Sequence, residues 1–158
     1  MIDYMVIALP RSGTAWVANL LTTGDDICLH ESFMKETLET LDNKEHSGLL
    51  GVSETSAIFF ADEVNKHPAK KLIIERPLDE VNNSLMGLGF YTFTSEINSL
   101  LNSIEGYKIS FNDLFNADSM GKAYEFLTGK KMNKERHELL CSFGVQNIFA
   151  IEAVRNML

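Results

Sequence analysis

The chain has 158 residues, 45% of them hydrophobic and 23% charged, which is the balance of a folded globular domain and excludes a disordered one. Its 14 Lys and Arg against 22 Asp and Glu give a formal charge of −8, so it lacks the broad basic face that a nucleic-acid backbone requires, and an anionic ligand has to be caught locally. The length is that of a single domain, read as residues 1–158.

Met5-Val6-Ile7-Ala8-Leu9 is a continuous apolar run closed by Pro10 and Gly13, as expected of a strand buried on both faces of a parallel sheet. From Thr14 the apolar positions Trp16, Val17, Leu20 and Leu21 recur at helical spacing, with Gly24 as the stop signal. Residues 27–30 read as a second strand and 33–41 as a helix. Residues 49–52 are a third strand, 55–67 a helix ended by Pro68, and 71–74 a fourth strand. Helices follow at 79–88 and 94–104, a strand at 107–111, and helices at 119–127, 134–143 and 147–157. Strands alternating with helices predict an α/β fold with three α/β/α layers around a central parallel sheet of about 4–5 strands. Ligands of such sheets sit beyond the carboxyl ends of the strands.

The apolar runs fall far short of the roughly 20 residues that cross a bilayer, so no membrane partner is expected. The N-terminus has neither the basic flank nor the long apolar core of a secretory signal, and a cytoplasmic protein is expected. Cys28 and Cys141 match no metal spacing and read as free thiols of a reducing compartment. His46, His67 and His137 fall in loops or polar helical faces and read as surface residues.

A strand that feeds Pro10-Arg11-Ser12-Gly13-Thr14 into a helix start gathers backbone N–H groups, the positive end of the helix dipole and two hydroxyls around a small anion-sized space. A nucleoside-triphosphate loop would read G-x-x-x-x-G-K-[ST]; here Ala8 holds the place of the first glycine and Thr14 that of the lysine. A second landmark is Arg76, which ends the fourth apolar run, with Ser84 eight residues on inside the next helix. A guanidinium and a hydroxyl so placed suit a phosphate.

Arg11-Ser12-Gly13-Thr14-Ala15-Trp16 resembles the 5′-phosphosulfate loop of sulfotransferases, with Ala15 where the family usually has a second threonine. The Arg76 and Ser84 pair resembles that family's 3′-phosphate motif. Ser53-Glu54-Thr55-Ser56-Ala57-Ile58-Phe59-Phe60 looks like the family's Glu-Lys-Ser/Thr-Pro/Ala segment followed by an aromatic, with Thr55 where lysine is commoner; Phe111-Asn112-Asp113-Leu114 looks like Tyr-Glu-Asp-Leu, and Glu125-Phe126-Leu127-Thr128-Gly129 like a closing Phe-Leu-Gly. The likeness spans residues 2 to about 130, and nothing from Lys130 to Leu158 matches the late Arg-Lys-Gly segment of many cytosolic members. It implies a P-loop NTPase-like fold and a metal-free enzyme that uses 3′-phosphoadenosine-5′-phosphosulfate (PAPS). Arg11, Ser12, Gly13, Thr14, Ala15 and Trp16 would then hold the phosphosulfate end, Arg76 and Ser84 the 3′-phosphate, and Phe111 and Trp16 would flank adenine, although an aromatic at the helical spacing of Trp16 is about as often core.

In-line sulfuryl transfer needs positioning, charge neutralisation by Arg11, and a base near the carboxyl end of a neighbouring strand. Glu31 is the first choice for that base, His30 the second, and Glu54 a distant third. The acceptor would be a small hydroxyl or amine compound. Met34, Met86, Leu88, Phe90, Tyr91 and Phe93 either line its pocket or serve as core or dimer surface, and a homodimer is compatible with the sequence. Two other activities fit the same motifs: a relative that binds PAPS or its bisphosphate product without efficient transfer, and a small-molecule kinase.

Overall fold

The structure is a computed structural model that describes residues 1–144. Five strands, β1 (Tyr4–Ala8), β2 (Ile27–His30), β3 (Leu50–Glu54), β4 (Lys70–Glu75) and β5 (Tyr107–Ser110), form one all-parallel sheet in the order β2-β3-β1-β4-β5. Seven helices accompany it among the described residues: α1 (Thr14–Leu21), α2 (Leu38–Asp42), α3 (Ala61–Lys66), α4 (Leu78–Met86), α5 (Ser95–Asn102), α6 (Ala117–Thr128) and α7 (Lys134–Ser142). No described helix is long and apolar enough to cross a membrane.

The uninterrupted apolar run of β1 has its cause in this arrangement. Side chains of a strand alternate between faces, and the central strand has a core on each. Tyr4, Val6 and Ala8 join one hydrophobic cluster with α1, α6 and α7, whereas Met5, Ile7 and Leu9 join another with α2 to α5. β4 repeats the pattern, with Leu72 and Ile74 on the first face and Ile73 on the second. Each fully buried Leu or Ile contributes on the order of 1.5–3 kcal/mol, so the two central strands fix the layering.

The chain order explains which helix lies on which face. From β1 the chain crosses over β3 to the edge at β2, then reverses and passes through β3, β4 and β5. Right-handed crossovers therefore place α1 on one side and the helices of the return path on the other. The direction of travel changes between β1 and β4, so the loops that leave these neighbouring strands part and open a crevice at their carboxyl ends.

Two expected helices are broken. Residues 33–41 form a 3₁₀ turn, Ser32–Met34, followed by the short α2, because the carboxylate of Glu54 captures the backbone N–H groups of Ser32 and Phe33. The Thr37 side chain then accepts from Thr40 N–H at 3.2 Å and restarts the helix. Residues 55–67 likewise divide into a 3₁₀ turn, Ser56–Phe60, and α3. The helix expected at 147–157 lies outside the described residues.

Three side chains expected at the surface or against a ligand belong to the interior. Trp16 is 5% exposed and packs edge-on against the His137 ring with centroids 5.5 Å apart, so α1 turns it into the core rather than toward a base. His137 is itself 2% exposed, and its Nε2–H donates to the Leu114 carbonyl at 2.8 Å. His67 is half-buried; its Nδ1 accepts from Ala69 N–H, which leaves Nε2–H to donate to Asp42. Conversely, Met34, Met86, Leu88, Phe90 and Tyr91 are exposed and form no part of the core.

Candidate functional site

The loop between β1 and α1 must reverse direction within five residues, and two of them adopt left-handed backbone. Gly13, at φ 86°, supplies the conformation without a Cβ clash. Arg11, at φ 66°, adopts it at a cost of about 1–2 kcal/mol. Among the described residues the only other non-glycine residue with positive φ is Glu31, at 53°, immediately after β2. Both lie at carboxyl ends of strands, and strain concentrated in this way marks a site whose side-chain placement the fold enforces.

The strain in Arg11 has an identifiable compensation. Its turned carbonyl accepts a short bond from Nη1 of Arg76, which follows β4 across the crevice. Arg11 Nε–H donates to Ser84 Oγ on α4 at 3.1 Å. The three side chains named separately from the sequence, 65 and 73 positions apart from Arg11, thus meet at the mouth of β1 and β4. Burial, and the neighbouring Arg76, hold the Arg11 guanidinium below its ordinary range. Two cations set side by side in this way present a cluster that favours a multiply charged anion.

Arg76 is already engaged. Its Nε–H donates to Glu80 at 3.2 Å, and its guanidinium carbon lies 4.2 Å from the Phe111 ring centroid. Phe111 also meets Phe115 edge-on at 5.5 Å. One face of Phe111 is therefore covered by Arg76, and stacking of a planar ring requires its other face.

Ser12 is fully buried, and its hydroxyl has no hydrogen-bond partner among the described residues. The first turn of α1 has no side-chain cap and no acidic residue, which leaves its N–H groups available to a ligand. Thr14, at the start of α1, has its carbonyl tied to Ser53 Oγ–H at 2.9 Å, and its hydroxyl lies 3.1 Å from His30 Nε2. Ala15 presents only a methyl group beside them, and its carbonyl accepts from the Asn19 amide.

His30 and Glu31 occupy the second half of the site. Burial lowers the His30 ring below its ordinary value, with Glu31 acting in the opposite direction, so a neutral imidazole faces the Thr14 hydroxyl. Glu31 Oε1 accepts from Thr55 N–H at 3.1 Å and lies 3.7 Å from His30 Nε2. A polar cleft of about 380 Å³ runs outward from this pair past Asn19, Thr22 and Lys35.

Glu54 occupies the buried end of β3, with 0% exposure. It accepts from Ser32 N–H at 2.6 Å, from the Ser32 hydroxyl, and from Phe33 N–H at 3.3 Å. Burial pushes its carboxyl up to about 7, against the pull of these donors. Its oxygens are committed to the turn that carries Ser32 and Phe33, which makes Glu54 a positioning residue. The sequence signal for it was an acidic residue closing an apolar strand; its partner Ser32, 22 positions earlier, carried no signal. Comparison with protein-family models, curated proteins and solved structures finds no match for this chain.

Proposed function

We propose that the crevice between β1 and β4 binds PAPS and that the chain transfers its sulfuryl group to a hydroxyl or amine of a small acceptor. The observation that carries this reading is the meeting of Arg11, Arg76 and Ser84 beside a loop whose buried Ser12 hydroxyl lacks a partner among the described residues. That donor set fits a ligand that carries several anionic oxygens. Ser12, Thr14, Arg11 and the N–H groups of the β1–α1 loop would hold the phosphosulfate end, and Arg76 with Ser84 the 3′-phosphate. Glu80, whose side chain is 51% exposed, can swing into solvent and release Arg76 to that phosphate. Adenine would stack on the half-buried Phe111 ring, opposite the face that Arg76 covers.

PAPS supplies an activated S–O bond, which breaks as the acceptor oxygen or nitrogen bonds to sulfur and leaves adenosine 3′,5′-bisphosphate. Arg11 and the helix N-terminus stabilise the charge that develops on the departing oxygen. The acceptor's proton passes to Glu31 or to the neutral His30 ring, which face the same cleft.

Calorimetric titration of the chain with adenosine 3′,5′-bisphosphate, with AMP and ATP-magnesium as controls, tests the reading. Micromolar binding that requires the 3′-phosphate is expected, and Arg76→Ala weakens it by about 10-fold or more, the loss associated with a charged hydrogen bond. In turnover assays Glu31→Gln retains nucleotide affinity while the rate falls by about 100-fold or more. Preference for ATP-magnesium, or an Arg76→Ala loss equal for PAPS and adenosine 5′-phosphosulfate, overturns the assignment. Tight bisphosphate binding without turnover on any hydroxyl or amine acceptor leaves a nucleotide-binding protein in its place.

A further inference from the structure

The Ser32–Met34 turn, the start of α2 and the Ser56–Phe60 turn enclose a second cleft, of about 330 Å³. Its walls are apolar: Phe33, Leu38 and Phe60. The two rings stand nearly perpendicular, at 82° with centroids 6.4 Å apart, so they present an aromatic corner rather than a closed stack. Phe60 remains 47% exposed although its neighbours Ala57 and Ile58 are buried. An aromatic ring left in water at the wall of a cavity is available surface for a ligand.

The rim has one sign of charge. Glu36, Glu39 and Glu63 surround the opening. Glu36 pairs with Lys44 at 2.8 Å, but Glu39 and Glu63 have no basic partner among the described residues. Carboxylates above an apolar floor repel anions and add nothing for a neutral hydrocarbon. They favour a cation that carries its own apolar body, and aromatic faces add to that preference.

We propose that this cleft binds a small organic ammonium compound, with its apolar body against Phe33, Leu38 and Phe60 and its charged nitrogen at Glu39 and Glu63. The cleft adjoins the transfer centre: Phe33 N–H is held by Glu54, and Glu36 lines both this cleft and the polar one that contains His30 and Glu31. Resting on the sulfotransferase reading, the inference names the acceptor class as an amphipathic amine with a second nucleophile, an amino alcohol or a diamine. The ammonium anchors in the cleft and the other group points toward His30 and Glu31.

The test is an NMR titration of the full chain without nucleotide, using phenethylammonium, 2-phenylethanol and phenylacetate as cationic, neutral and anionic probes of similar size. The expected result is that the cation shifts signals of Phe33, Leu38 and Phe60 and binds about fivefold or more tightly than the alcohol, an advantage that shrinks in high salt. Phenylacetate does not bind. The double substitution Glu39→Gln, Glu63→Gln abolishes the cation's advantage while the alcohol binds as before. Equal affinity for cation and alcohol, an advantage that survives the double substitution, or shifts that map elsewhere overturn the proposal and return both carboxylates to the role of first-turn helix charges. Bisphosphate titrated in parallel separates the two readings. Cation binding in a chain that ignores the nucleotide supports the cleft and removes its acceptor role; nucleotide binding without cation preference does the reverse.

Discussion

Glu54 is an acid buried where its charge is costly, and this sets a pH dependence with a definite sign. Its carboxyl titrates near 7 in the folded chain against an ordinary value of 4.5, so the folded state holds the proton over a range where the unfolded state has lost it. The contribution of Glu54 to stability is therefore highest below about 4.5, declines as the pH rises toward 7, and is level above that, a span on the order of 3 kcal/mol. Thermal melts of the wild type and Glu54→Gln between pH 5 and 8 should diverge, the wild type losing melting temperature relative to the amide variant as the pH rises. Parallel curves would mean that the site is wet enough to carry the charge at no cost. Arg11 and Glu31 each hold a left-handed backbone that glycine would adopt more easily.

At the scale of elements, the contact between β1 and β3 rests on one missing side chain. Tyr4 pairs in register with Gly51, and a Cβ at Gly51 would lie 1.9 Å from the Tyr4 ring, which is fully buried and cannot retreat. Gly51→Ala should cost about 3 kcal/mol or more by overpacking, seen as a fall in melting temperature, and Tyr4→Leu in that background should recover part of it. No recovery would show that the backbone, not the ring, is the obstacle. Elements whose cause is local were readable from the sequence. β1 and β4 announce themselves by continuous apolar runs and α1 by apolar periodicity, while Arg76, after β4, and Ser84, inside α4, were singled out by resemblance to a family motif. The breaks at 35–37 and at the Ser56–Phe60 turn were not readable, since the first is imposed by a carboxylate from a strand 21 positions away. Trp16 stayed open between core and ligand because helical spacing tells which residues share a face but not what that face meets, and His137 was misread because the polar sequence of α7 hides a buried histidine.

Over the whole molecule, the layer formed by α1, α6 and α7 is closed by side chains that reach carbonyls at the ends of other elements. Arg136 of α7 donates through Nη2 to the carbonyls of Asn19 and Thr22, at 2.5 and 2.9 Å, where α1 ends and its dipole is negative. Arg136→Ala should therefore destabilise the chain by about 2 kcal/mol, measured by denaturant melts, since it removes charged hydrogen bonds and strands two carbonyls. Arg136→Lys should restore only part of this, because both bonds come from the terminal Nη2 and the lysine nitrogen ends about one bond short of that position. Unchanged stability in the alanine variant would show that α7 does not brace α1.

The bond from Arg76 to the backbone of Arg11 makes the two halves of the crevice one mechanical unit. A ligand group that recruits the Arg76 guanidinium must take it from the carbonyl that compensates the strained turn, and a group bound by the turn alters the position of that carbonyl. On the proposed reading, occupancy at one anion site would be felt at the other, and the coupling free energy would be the same in whichever order they fill. Two monovalent fragments, one for each end of the crevice, would then show non-additive affinities, a cooperativity that originates in a single hydrogen bond between residues 65 positions apart.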